Sequence, residues 1–154
     1  MVSHSRRRAL QCGSVVLAGT LAGCLDRFRS DPETVPRLSQ LSVANMDSSP
    51  ATVSALVLED GDPVFHDRLE ADALEGNRAG GGEFDGYPTE PGQYEIYAWY
   101  DDQSRSEWGH IDLGDLVERY SGSNETPCYR VRVRIESASG NDRRLSIWYG
   151  VDDC

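Results

Sequence analysis

The chain has 154 residues, with 15 basic against 26 acidic side chains and a formal net charge of −11 at pH 7. That length accommodates one domain with a modest core. An acidic surface of this strength repels phosphate backbones, which argues against nucleic-acid binding. No lysine occurs, so every basic residue is arginine.

In chain order, Arg6, Arg7 and Arg8 come first and precede an apolar run over residues 9–23. As a helix that run reaches about 22 Å, short of the roughly 30 Å hydrocarbon core of a bilayer. It reads as a signal segment rather than a membrane span. Ser5-Arg6-Arg7-Arg8-Ala9-Leu10 resembles a twin-arginine export signal, with Arg6 and Arg7 as its pair. Leu21-Ala22-Gly23-Cys24 resembles a lipobox, in which small residues precede the cysteine that receives the lipid. Cys12 is a poor alternative, because Gln11 before it is too large. With the acidic, lysine-free composition, these motifs resemble exported lipoproteins of haloarchaea. That resemblance implies a signal peptide over 1–23, lipid on Cys24, and a place on the extracellular face of the cell membrane. Molar salt shortens the Debye length to about 3 Å and screens the self-repulsion of such a surface. An arginine-rich codon bias is the alternative source of the composition. Residues 24–37 carry Pro32 and Pro36 and read as an extended tether. Two lipid chains, at about 0.8 kcal/mol per buried CH₂, hold such a tether stably at the membrane.

From residue 38 the apolar pattern has period two and is broken by turn residues. LSQLSVANM, ATVSALVLE and PVFHDRL read as strands, with turns at MDSSP and at Asp60-Gly61-Asp62-Pro63. ADALEGNRAGGGEFDGYPTE shows no strand periodicity, and Gly80-Gly81-Gly82 has little intrinsic order. Pro91-Gly92 reads as a type II turn launching GQYEIYAWYD. EWGHIDLG, a short helix in DLVERY, and the strands CYRVRVRIE and RRLSIWYGV complete the chain. About seven short strands and few helices predict an all-β domain over 38–154, an antiparallel β-sandwich. Pro91-Gly92-Gln93-Tyr94 before an alternating strand resembles Ig-like and transthyretin-like modules, a likeness of fold that carries no function.

In the last hairpin, Tyr129, Val131, Val133 and Ile135 share one face, and Cys128, Arg130, Arg132 and Arg134 the other. A three-residue loop at Gly140-Asn141-Asp142 predicts Ile135 opposite Ile147, Val133 opposite Tyr149 and Val131 opposite Val151, with both apolar sets inward. The same register places Arg130 opposite Asp152 and Cys128 opposite Cys154. With Cys12 removed and Cys24 lipidated, Cys128 and Cys154 are the thiols left to pair outside the cell.

Chemistry is sparse. His66 and His110 fall on different strands, and no HExxH, CxxC or GxSxG occurs. Blue-copper sandwiches need His and Met after the C-terminal cysteine, and Cys128 has neither downstream. Asp60/Asp62, Asp101/Asp102 and Asp152/Asp153 lack a DxDxDG calcium loop and read as solvated surface. No catalytic residue, metal or cofactor is therefore expected. Asn124-Glu125-Thr126 is a glycosylation sequon, with Pro127 lowering its expected occupancy. Tyr97, Trp99, Trp148 and Arg134, with Trp148 opposite Arg134, form a candidate surface for a sugar or an envelope protein. Cross-strand packing is the plainer reading of the same residues. The expected function is a lipid-anchored, non-enzymatic binding or envelope-associated module. The alternative is a hydrolase or metal-dependent enzyme with carboxylates near the 70–90 loop.

Overall fold

Alternating apolar residues build two four-stranded sheets that press their inner faces together. The computed structural model describes residues 35–101, 103–120, 126–138, 142–152 and 154. The expected signal segment with Arg6 and Arg7, Cys24, residues 24–34 of the expected tether and the sequon at Asn124 lie outside the described residues. The strands are β1 (Arg37–Asn45), β2 (Ala51–Glu59), β3 (Asp62–Ala71), β4 (Gly80–Glu83), β5 (Tyr94–Tyr100), β6 (Gly109–Asp112), β7 (Cys128–Ser137) and β8 (Arg143–Asp152). One helix, α1 (Leu113–Tyr120), follows β6. The sheets run β4-β1-β7-β8 and β3-β2-β5-β6. Leu38, Leu41, Val43, Val53, Val57, Phe84, Tyr94, Ile96, Tyr129, Val131, Val133 and Ile135 fill the space between them, each at most 5 % exposed. The all-β sandwich holds.

Several details differ from expectation. The sheet containing β1 is mixed rather than antiparallel, because β1 runs parallel to β7 and pairs Leu41 with Val131 and Val43 with Val133. A parallel pair needs a long crossover; here all of β2 to β6 lies between its strands. Among the described residues there are eight strands where about seven were expected, the glycine run adding β4 against β1, from Ser42↔Glu83 to Asn45↔Gly80. Close approach of backbones explains it. A Cβ on Gly80 would lie 1.8 Å from the Asp72 carbonyl oxygen, and one on Gly81 (φ +117°) 2.3 Å from that of Val43. The turn expected over Asp60-Gly61-Asp62-Pro63 is only Asp60 (φ 51°) and Gly61 (φ 85°), a two-residue turn of the type that suits a hairpin, and Asp62 and Pro63 already belong to β3. Pro91-Gly92 is not a type II turn, since Gly92 lacks positive φ. Pro91 instead bridges Arg37, and the Gly92 amide donates to the Pro36 carbonyl at 3.0 Å. The Tyr94 hydroxyl donates to the Glu90 carbonyl at 2.9 Å and fixes this corner, as tyrosines do in other β-sandwiches.

The β7–β8 register is two residues from the expected one. Ile135 faces Leu145, Val133 faces Ile147, Val131 faces Tyr149 and Tyr129 faces Val151; Arg130 faces Gly150 and Cys128 faces Asp152. A shift of two keeps every apolar residue on its face, so alternation cannot choose between the two registers. Asp47 can. Ser137 and Arg143 are the last register pair before the loop, and both hold its carboxylate. The Ser137 hydroxyl donates to Oδ2 at 2.7 Å, and Arg143 Nε lies 3.2 Å from Oδ1. Beyond that pair the Ala138 amide donates to the Asp142 carbonyl at 2.7 Å, which carries the same register one step further. The expected Cys128–Cys154 link is present, with Cα atoms 5.5 Å apart. Gly109 of the short strand β6 backs onto Leu145 and Ile147. Tyr149 and Val151, on the same side of β8, stay 39 % and 59 % exposed.

Candidate functional site: an arginine groove on one sheet face

Because β7 lies inside its sheet and alternates strictly, Arg130, Arg132 and Arg134 project in a row from the outer face. Same-face neighbours on a strand are about 6.7 Å apart, so the row spans roughly 13 Å. Its flanks are low. Gln40, Ser42 and Ala44 of β1 stand beside the three arginines on one side, and Gly150, Trp148 and Ser146 of β8 on the other. The result is a groove of about 460 Å³ that ends at Met46 and Ala79.

The three guanidinium groups are held differently. Arg130 Nε pairs with Asp152 Oδ2 at 2.9 Å, and its side chain lies close over Gly150, where a Cβ would come 3.3 Å from Nη2. Arg134 pairs with Glu136 and places its guanidinium carbon 4.8 Å from the centre of the Trp148 ring. Arg132, in the middle, has Nε 3.5 Å from the Ser42 hydroxyl and pairs with no carboxylate among the described residues. Its register partner is Trp148, which is 54 % exposed and donates its indole N–H to Ser146 Oγ at 3.1 Å. At the β4 rim, the Gln40 amide at 2.8 Å and the Tyr87 hydroxyl at 2.9 Å donate to Glu83 and hold its carboxyl below the usual range. Burial, and then that same carboxylate, push the Tyr87 hydroxyl up to about 12. A planar guanidinium without an ionic partner, beside an indole, suits a carboxylate, sulfate or phosphate oxygen pair.

The four residues of the expected surface do not form one surface. Trp148 and Arg134 meet as expected, although Trp148 is in register with Arg132 rather than Arg134. Tyr97 and Trp99 lie on the outer face of the other sheet. Tyr97 stacks on His110 with centroids 4.4 Å apart, and Trp99 stands between Trp108 at 3.9 Å and His66 at 5.8 Å. Their rings are engaged within the sheet, which is cross-strand packing. Trp108 and His66 were not among the expected residues. The signal for Trp108 is its place just before β6, in the row of Trp99.

The 70–90 stretch contributes β4, the buried Phe84 and the half-buried Tyr87, with Glu83 engaged as above. Among the described residues, no three of His, Cys, Asp and Glu gather in a way that could hold a metal ion. Asp101 takes the Thr52 amide at 3.0 Å and Arg143 at 3.2 Å, while Asp102 and Asp153 lie outside the described residues. What sequence reasoning missed is the groove itself. The arginine row is visible in RVRVR, but the small residues beside it come from β1, some 90 positions away. Compared with protein-family models, curated proteins and solved structures, the chain finds no match.

Proposed function

We propose that the chain is a lipid-anchored extracellular lipoprotein whose β-sandwich serves as a non-enzymatic binding or envelope-associated module. The outer face of sheet β4-β1-β7-β8 is its binding face. The observation that carries this reading is Arg132, a guanidinium without a carboxylate partner among the described residues, at the centre of a groove on a chain of net charge −11. The export and lipobox motifs supply the location, and the lysine-free acidic composition supplies the saline setting. The groove offers recognition groups rather than reactive ones. The Ser42 hydroxyl beside Arg132 is turned to the Val131 carbonyl at 3.5 Å and hydrogen-bonds no histidine or carboxylate among the described residues. The test is co-sedimentation of the purified Cys24→Ser protein, which carries no lipid, with haloarchaeal envelopes in molar KCl. Arg132→Ala and Trp148→Ala are expected to abolish retention. Retention equal to that of the Cys24→Ser protein would overturn the assignment of this face.

A further inference from the structure

We infer that the groove takes a linear acidic glycan, seating a carboxylate or sulfate on Arg132 with the adjoining sugar ring against Trp148. This rests on the binding-face reading above and names its ligand class.

Arg132 presents a flat donor fork that matches two oxygens of one anionic group, and its Nη atoms have no protein partner among the described residues. Trp148 is its direct partner across the ladder, so an anion on Arg132 brings the group bearing it beside an indole that is 54 % exposed. A saturated ring with C–H groups on its face suits that neighbour. Arg130 and Arg134 repeat the cationic group on either side, about 6.7 Å away along the strand. Their partners Asp152 and Glu136 are 32 % and 37 % exposed, so a ligand anion can compete for each guanidinium. Repeating anions along a chain fit this row better than one isolated ion.

Two other polyanions fit less well. An acidic peptide gains most from adding a strand to a free sheet edge. The groove runs over β1 and β7, whose backbones are paired on both sides, and takes only side-chain and glycine surface from the edge strand β8, at Trp148, Tyr149 and Gly150. Single-stranded nucleic acid needs successive stacking rings and a net basic track. Here one indole stands on a strongly acidic chain. In molar salt the Debye length of about 3 Å removes long-range attraction and repulsion alike. Selection is left to contacts at hydrogen-bond range, such as a guanidinium fork and a ring face.

The experiment is titration calorimetry of the full-length protein in molar KCl. The probes are an oligogalacturonate, a heparin-derived oligosaccharide, a neutral cello-oligosaccharide, galacturonate monomer, poly-glutamate and oligo-dT. One or both acidic oligosaccharides should bind, and the comparison separates carboxylate from sulfate. The neutral oligosaccharide and the monomer should bind at least about tenfold more weakly. Arg132→Ala should weaken binding roughly 10- to 100-fold. Arg132→Lys should restore only part of it, because charge returns without the planar fork. Trp148→Ala should weaken it about fivefold or more. Both side chains are exposed, so the variants keep the fold. Tighter binding of poly-glutamate or oligo-dT, or unchanged affinity in Arg132→Ala, would overturn the glycan. Envelopes deglycosylated with anhydrous hydrogen fluoride, which cleaves glycosidic bonds, separate the two proposals. Retention there that still depends on Arg132 overturns the glycan and leaves the binding face standing. Loss of retention there, with retention on untreated envelopes, supports both.

Discussion

Cys128 sits opposite Asp152 in the β7–β8 ladder, yet its sulfur is joined to Cys154, two residues further along. The bond is a diagonal link across the end of the hairpin, made by a buried cysteine and an exposed one. A closed loop of this length is worth on the order of 3 kcal/mol in the chain-entropy model, a sizeable share of a typical 5–15 kcal/mol. Cys154→Ser, which leaves the buried partner intact, is expected to lower the unfolding free energy by about 2–4 kcal/mol. It should also speed amide exchange over residues 149–152. Denaturant midpoints and exchange rates check both. An unchanged midpoint would show that the link contributes nothing to the folded state.

Asp47 gives the domain an acid limb. The Ser137 hydroxyl, then the Ser49 amide and the Arg143 guanidinium, hold its carboxyl below the usual range against the opposing effect of burial. The folded value lies below the unfolded one of about 3.9. This contribution is therefore complete above the unfolded value and disappears as pH falls through the folded value. Glu83 adds to the same limb through Gln40 and Tyr87. Asp47→Asn is expected to cost about 1–3 kcal/mol at neutral pH. It should also flatten the loss of stability below about pH 4. Urea titrations across that range test the sign and the size. A parallel fall in both proteins would assign the acid limb elsewhere.

Gly81 tests why β4 exists. With φ at +117° and the Val43 carbonyl oxygen 2.3 Å from any Cβ, alanine there suffers both backbone strain and overlap. Gly81→Ala is expected to destabilise by roughly 2–4 kcal/mol and to free β4 from β1. Gly86→Ala is the control: φ is +80°, but nothing lies within 4 Å of its added Cβ. Its effect should be smaller, about 1–2 kcal/mol from the backbone alone. Thermal melts of the two variants give the comparison, and equal losses would remove the close approach as the reason.

On the proposed anchoring, Cys24→Ser should release the protein from membranes or leave it unprocessed. Arg6→Lys combined with Arg7→Lys should block export. Fractionation of a haloarchaeal host reads both outcomes. Normal membrane retention of the Cys24→Ser protein would overturn the lipid anchor.

The strands most legible in the sequence are those whose side chains alternate against one apolar layer. β2, β5, β7 and β8 announce themselves because each is nine, seven, ten and ten residues of near-regular alternation. β4 does not, because strand propensity is a property of side chains and glycine has none; only the nearness of Asp72 and Val43 explains it. The hairpin register was open to an even-numbered slip, and the tie-breaker, Asp47, lies about 90 residues from Ser137. The same distance hid the candidate site. Arg130, Arg132 and Arg134 were visibly on one face, but that Tyr97 and Trp99 belong to the opposite face depends on which sheet β5 joins. No local pattern encodes that choice.

The parallel pairing of β1 with β7 also sets an order of events during synthesis. β2, β3, β5 and β6 pair with near neighbours in the chain and can assemble while the ribosome is still working. β1 must wait, holding a place beside β4 until the carboxyl-terminal hairpin arrives to complete the other layer. The groove belongs wholly to that late layer. A chain cut or stalled before that hairpin lacks Arg130, Arg132, Arg134 and Trp148, and with them the proposed binding face, so ligand capture would report that β7 and β8 have been made and paired.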